Sequence, residues 1–472
     1  MLNFTGYESA ASALRFFEDI SKIPHGSGNT KYIADYLVEF ANARGLKCNR
    51  DEYDNVIIKK PASRGYENKP GIIFQGHLDM VAEKLPTIDK DMEKEGLEIY
   101  IDGEFLRAKG TTLGGDDGVA LAYAMAILDG EYEHPAFEAI FTSDEETGLI
   151  GANKLDGTKV EGKMLINIDS DEEGVFTVGC AGGMRSDIKL PITRTHHDGN
   201  AYSVKVTGLA GGHSGVEIDK GRLNANKLLA ELLNCDIDYR LISINGGNAD
   251  NAIPRECVAT IALPVGIEVL AKNADALVQR YRDIECALEV EIEPVKSDGT
   301  PLDEESTAAV VALLCELPSG VIAMSEDIKG LVETSLNLGI LKTADDYVNV
   351  SFSVRSAKGA AKRALGDTLR EIAIRYGADY SERGEYPAWE YRRDSHLRDV
   401  MKSVYENMYA KEPKIVTIHA GLECGLFTEK IPGIDCVSIG PDNFDIHTTE
   451  EHLSLPSFVR VWEYLLNVLK NI

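Results

Sequence analysis

The chain has 472 residues, 44% hydrophobic and 27% charged, enough apolar content for large soluble cores divided among about two to four domains. Its 77 acids against 49 Lys plus Arg leave a formal charge of −28, which argues against phosphate backbones, so no nucleic-acid partner is expected. With no run of 18 apolar residues and no basic-then-apolar leader, neither a membrane span nor a secretory signal is expected; scattered cysteines without a CxxC pair point to a reducing, cytoplasmic location.

Residues 8–44 read as two helices around a break at 23–28, and residues 47–60 as a hydrophilic strand followed by a short apolar one. A buried strand over 71–80 carries His77 and Asp79, which the two-residue period of a strand puts on one side. They are either a surface pair at a strand end or metal chemistry. A hairpin is expected over 99–106, at the rim of whatever site the preceding strand opens onto.

Residues 111–118, TTLGGDDG, lead into an apolar helix over 119–128. Asp116 and Asp117 can cap that helix, whose N-terminus favours negative charge, or bind a cation. The GKS/T ending of a phosphate loop is absent. Next, an apolar strand over 137–143 runs into Asp144, Glu145 and Glu146, and another over 163–169 ends at Asp169. Three acid-tipped strand ends, at Asp79, Glu145/Glu146 and Asp169, follow the rule that open α/β sheets bind at the carboxyl ends of their strands.

The pattern then changes, and the predicted limits are a catalytic domain over 1–185 and 388–472 interrupted by an inserted domain over 186–387. Strands at 202–207, 240–245, 256–263 and 288–294 with helices at 223–233 and 271–284 make one β-α-β-β-α-β set. After a turn at 297–303 come a helix at 305–315, strands at 330–341 and 346–355, a helix at 357–376 and a strand at 379–383, a second set with an imperfect start. The fold expected is α/β, a mixed open sheet with helices on both faces, plus a lid of two ferredoxin-like α+β modules. Beyond it lie a helix at 394–410, strands at 414–419 and 435–440, His447, and a terminal helix at 455–469.

A two-metal site needs nitrogen and oxygen ligands on each ion and commonly a shared carboxylate. His77, Asp116, Glu146, Asp169 and His447 can serve two ions if Asp116 bridges.

The ordered motifs GHLD, LGGDDG, DEETG, NIDSDE, GLAGGHSG, HAGLECG and DIHTTEE resemble those of the M20 metallopeptidase class, specifically its C family of aminoacyl-histidine dipeptidases, along essentially the whole chain. The resemblance implies His77 and Asp169 on one zinc, Glu146 and His447 on the other, and Asp116 bridging; Mn2+ or Co2+ are the alternative ions. It also implies Asp79 as support for His77, Glu145 as general base and His213 as a lid histidine assisting the oxyanion. Substrates would be dipeptides with a free N-terminus, including Xaa-His, since Asp169 stands where acylase-like relatives use Glu. Arg355 is the leading carboxylate clamp, with Asn251, Arg255 and Glu423 as further pocket residues. A homodimer through the lid is left open. The chemical rival is a deacetylase or aminoacylase on the same scaffold; the non-enzymatic one is an inactive peptide-binding protein.

Overall fold

The structure, a computed structural model, describes residues 2–196, 199–297, 299–326 and 328–472; Asp298, in the turn expected at 297–303, lies outside them. The chain forms two compact units, one comprising Met1–Gly179, Tyr391–Thr417 and Leu422–Ile472, the other Cys180–Glu390 and Ile418–Gly421.

In the first unit an eight-stranded mixed sheet runs in the order Lys47–Arg50, Val56–Lys60, Phe137–Thr142, Ile72–His77, Met164–Asn167, Asp435–Ser438, Val175–Cys180, Lys414–Ile418. The four strands from Phe137–Thr142 to Asp435–Ser438 are parallel neighbours and buried along their whole length. Near-continuous apolar runs are what strands covered on both faces require.

The helix Gly115–Asp129 is buried from Val119 to Leu128, as a helix apolar on every side must be. The terminal helix Leu455–Asn471 packs against it: Trp462 stacks on Tyr123 with ring centroids 5.6 Å apart, and the Tyr123 hydroxyl donates to Phe458 O at 2.6 Å.

A second, four-stranded sheet joins Asn443–Phe444, His452–Ser454, Phe105–Ala108 and Ile99–Asp102. The hairpin predicted over 99–106 therefore holds the C-terminal segment that carries His447, with the His452 ring stacked on Phe444 and edge-on to Phe105.

The second unit is built on a nine-stranded sheet containing both ferredoxin-like modules. Asn200–Thr207, Arg240–Gly246, Cys257–Leu263 and Glu289–Pro294, with helices Ala225–Leu233 and Ile267–Tyr281, form one module, its strands in the spatial order 4-1-3-2. The other contains helix Glu304–Glu316, strands Val332–Thr343 and Tyr347–Ser356, helix Gly359–Arg375 and strand Asp379–Tyr386.

Its missing first strand is Gly182–Pro191, which pairs with Tyr347–Ser356 and Asp379–Tyr386. The first module is thus inserted inside the second, and the boundary drawn at 185/186 falls within a strand. Sequence periodicity overlooked that strand because Ser186, a polar residue that is fully buried, interrupts the apolar series Met184, Ile188, Leu190. A further strand, Gly320–Met324, pairs with Val332–Thr343 and was also not predicted. Among the described residues no helix is long and apolar enough to cross a membrane.

Candidate metal centre

Parallel strands deliver their carboxyl ends to one edge of the sheet, and the candidate ligands gather there. His77 ends Ile72–His77, Glu146 follows Phe137–Thr142, Asp169 follows Met164–Asn167, Asp116 lies at the start of the buried helix, and His447 follows Asn443–Phe444. The chain turns sharply at Asp144 and His447, which hold left-handed backbone angles of φ 53° and 63°. Such a turn lets the consecutive acids after Thr142 point in different directions.

Asp116 is the common member. Its Oδ1 lies 2.9 Å from His77 Nε2 and its Oδ2 3.1 Å from His447 Nε2. Asp169 Oδ1 is 3.9 Å from His77 Nε2, and Glu146 Oε1 is 2.8 Å from His447 Nε2. Ligand atoms of His77, Asp116 and Asp169 all lie within 4.8 Å of one another, as do those of Asp116, Glu146 and His447. These overlapping groups form a dinuclear metal-binding site.

The donor chemistry fits cations. His77 Nδ1 is 2.9 Å from the carbonyl oxygen of Asp79, a contact that requires the proton on Nδ1 and turns the Nε2 lone pair toward Asp116 and Asp169. A neutral imidazole aimed at carboxylate oxygens needs a proton or a metal between them. Among the described residues Glu146 Oε1 is buried without a hydrogen-bond donor; its short contact with His447 lacks hydrogen-bond geometry, as for two groups directed at one ion.

Without metal, protons compensate. Asp116 and Glu146 push His447 up to about 10. Burial opposes charge on His77, yet Asp116 and Asp79 raise its pKa well above the ordinary value. Burial, then the charge of Asp116, raises Asp169. Burial pushes Glu145 up to about 8 against the pull of His77, with the charges of Glu423, Asp116 and Glu146 adding to the rise.

The two readings of Asp116 and Asp117 divide between the residues. Asp117 caps the helix, accepting from Ala120 N at 3.3 Å, and also accepts from His77 N at 3.1 Å, whereas Asp116 faces the histidines. Gly76 allows this approach: a Cβ there would lie 2.2 Å from Asp117 Oδ2. The carboxylate of Asp79 is 3.6 Å from His77 Nδ1 and takes its hydrogen bonds elsewhere, from Ser27 Oγ at 2.8 Å and Glu145 N at 3.0 Å. It ties the His77 strand to the Glu145 turn.

Two sets of supporting residues escaped sequence reasoning. Buried Glu451 accepts from Leu113 N, Gly114 N and Gly115 N at 2.7, 3.0 and 2.8 Å, clamping the loop that presents Asp116. Its only signal was an acid a few residues beyond His447. Beneath the strand ends, Gln75 and Asn167 each stand two residues before a ligand and so share its side of the sheet. Asn167 Nδ2 donates to Gln75 Oε1 at 2.7 Å, while Gln75 Nε2 and Thr142 Oγ1 donate to Glu423 Oε2 at 2.5 and 2.7 Å. All four side chains are fully buried.

The remaining predicted residues lie in the second unit. His213 pairs with Ala252 in a two-stranded ribbon, and Ser214 N donates to Asn251 O at 2.8 Å, so His213 and Asn251 are neighbours. Gly215 N and Val216 N approach His213 Nδ1 at 3.1 and 3.2 Å, which leaves the ring proton on Nε2. Burial and Arg355 lower its pKa, favouring the neutral ring. Arg355 Nη1 donates to Tyr386 Oη at 3.0 Å. Arg255 is exposed and donates to Leu209 O at 3.3 Å, on the wall of a cavity of about 1260 Å³ between the loops at 245–258 and residues 340–342.

A dinuclear metal-binding site at the strand ends of a mixed α/β sheet, in a chain that also carries a ferredoxin-like insertion, is the arrangement of a metallopeptidase fold. The profile of "Peptidase family M20/M25/M40" matches residues 73–471, and the chain belongs to that family. It is a metal-dependent peptidase. Cytosol non-specific dipeptidase of Escherichia coli (strain K12) is 38% identical over 471 residues, covering 97% of this chain and 96% of the relative. The crystal structure of aminoacylhistidine dipeptidase from Vibrio alginolyticus superposes with a TM-score of 0.93 at 37% identity, covering 98% and 96% of the two chains. Aminopeptidase PepT from Bacillus cereus, at 16% identity and TM-score 0.57 over 98% of each chain, shares the fold.

Proposed function

We propose that this protein hydrolyses dipeptides with a free N-terminus, Xaa-His among them, in the cytoplasm, using two zinc ions; Mn2+ and Co2+ are the alternatives. The observation that carries the reading is the single carboxylate of Asp116 reaching His77 through one oxygen and His447 through the other. Support comes also from the extended similarity to a relative named as a cytosolic dipeptidase and another named for aminoacylhistidine substrates.

His77 and Asp169 would hold one ion, Glu146 and His447 the other, with Asp116 between them. When bound, such ions lower the pKa of water and polarise the scissile carbonyl. Glu145 takes the proton of the attacking water and returns it to the departing amine. Its backbone N–H donates to Asp79 Oδ1 at 3.0 Å, which fixes the turn that carries it, and its carboxylate lies within 4.8 Å of ligand atoms of His77 and Glu146. His213, with its proton on Nε2, is a neutral donor suited to the developing oxyanion. Arg355 receives the substrate carboxylate, Asn251 and Arg255 border the pocket, and Glu423, whose Oε2 is held by Gln75 and Thr142, is the further pocket residue on the amine side. A homodimer through the inserted unit belongs to the same proposal.

The test is zinc titration into chelator-treated protein with unblocked dipeptides and N-acetyl amino acids as parallel substrates. Dipeptide turnover should rise to a plateau near two zinc per chain. A preference for the acetylated series supports the acylase reading, and stoichiometric metal uptake without turnover of either series supports the inactive-binder reading.

A further inference from the structure

Arg355 does not stand alone on its face of the second unit's sheet. Ser335, Arg355, Gly183 and Tyr386 form a row across four adjacent strands: Ser335 is the direct partner of Arg355, Arg355 of Gly183, and Gly183 of Tyr386. Directly opposite residues share a face, with Cβ atoms about 4.5–5.5 Å apart. Gly183 leaves a gap in the row, and the Tyr386 ring fills it, lying 2.5 Å from where a Cβ would be. That position lets Tyr386 Oη accept from Arg355 Nη1.

The segment Ile418–Gly421 completes this arrangement. Although its sequence neighbours on both sides belong to the metal-bearing unit, these residues belong to the other. Ala181 N donates to Ile418 O at 3.0 Å, and Gly421 packs on the Tyr386 ring. Between them His419, 7% exposed, sets its Nε2 2.7 Å from Ser335 Oγ and thus beside Arg355. Its backbone and the His213 ring both border Gly215, each about 2.9 Å from the position of a Cβ there.

Two nitrogens of this cluster are shielded from solvent and have no hydrogen-bond partner among the described residues: Arg355 Nε and His419 Nδ1. Buried polar atoms are seldom left in this condition unless a ligand or water completes them. Arg355 Nε is necessarily a donor. A Ser335 hydroxyl donating to His419 Nε2 places the ring proton on Nδ1, giving a second donor. Burial and the Arg355 charge push His419 down to about 4, which keeps the ring neutral and the positive charge on the arginine. One cation and adjacent neutral N–H groups are the complement of one carboxylate.

We propose that His419 is a substrate-binding residue that donates Nδ1–H to the terminal carboxylate of the peptide beside Arg355, with Ser335 setting its tautomer and Tyr386 orienting the arginine. This rests on the dipeptidase reading above and deepens it, because a cradle closed around a terminal carboxylate selects peptides that end at that point. A residue amidated or extended there leaves both donors without their acceptor.

The experiment compares wild type, His419→Ala and His419→Asn on a dipeptide and on its C-terminal amide. Asparagine keeps an N–H close to the position of Nδ1. Loss of a hydrogen bond to a charged group should lower kcat/KM of His419→Ala on the free acid by about 10- to 100-fold, chiefly through KM. The amide should change little, so the preference for the free acid collapses, and asparagine should restore part of it. An equal loss on both substrates, or an undiminished preference, overturns the proposal. Calorimetric binding of free histidine against histidinamide supplies a readout independent of turnover. If wild type cleaves neither substrate, the dipeptidase reading fails, while selective binding of free histidine lost in His419→Ala still supports the cradle and its persistence still refutes it.

Discussion

Replacing Glu451 by alanine separates the metal site from its scaffold. The carboxylate accepts three backbone N–H groups, from Leu113, Gly114 and Gly115, and receives Asn443 Nδ2 at 3.3 Å, all without solvent competition since the side chain is 3% exposed. Hydrogen bonds to a charged group contribute about 1.5–3 kcal/mol each. At the low end the three backbone bonds come to about 4.5 kcal/mol, and water entering the vacated space returns part of that. Asp116 follows this loop directly, so its two oxygens lose their fixed orientation between His77 and His447. Losing an interaction that orients a ligand typically costs about 10- to 100-fold in metal affinity. Thermal unfolding of metal-free protein and zinc competition against a chelating dye measure the two effects separately. Glu451→Gln, able to keep the oxygen that faces Leu113 and Gly114, should fall between wild type and alanine. Wild-type zinc affinity and unchanged unfolding in Glu451→Ala would falsify the clamp.

Glu145→Gln should reduce kcat by about 10²- to 10⁴-fold while zinc stoichiometry, followed by dye competition, stays at the wild-type value; loss of metal instead would make Glu145 a ligand. Gly76→Ala drives a Cβ into Asp117 Oδ2 and the Ala120 methyl, 2.2 and 2.3 Å away, and should abolish zinc binding along with activity; a variant that binds zinc normally contradicts the close approach. In chelator-treated protein, the raised pKa of His447 means its interaction with Asp116 and Glu146 stabilises fully below the ordinary value of 6.5 and is lost as pH rises toward about 10. The Tm of metal-free protein should accordingly fall across that window and that of His447→Gln less so, checked by calorimetry. Zinc affinity should rise over the same range, because binding displaces that proton.

The candidate metal ligands were legible because each stands where a local pattern ends: an apolar strand stops and a His or acid follows. Strand periodicity put His77, the Glu145/Glu146 pair and Asp169 at strand ends, and the glycine-rich helix start offered Asp116 and Asp117 together; Glu146 and Asp116 were chosen only in assembling a two-metal set. Local pattern could not decide between Asp116 and Asp117, since both suit a helix N-terminus and only the approach of the His77 backbone to Asp117 distinguishes them. Glu451 and the row of Gln75, Thr142 and Asn167 were invisible for a different reason. Their partners lie far along the chain, and a buried polar residue in an apolar run carries no mark of what it will meet.

Local order in the chain was therefore enough to determine strands, helices, the interruption by an α+β insertion and most of the ion-facing side chains, because those depend on periodicities of a few residues. Nesting of one module inside the other, the capture of the His447 loop by a hairpin 343 residues earlier, where Arg107 meets Glu450, and the assignment of His419 to the inserted unit were decided only by tertiary structure. Each is a pairing between distant segments whose free energy comes from burying partners together, a quantity that no single stretch of sequence contains.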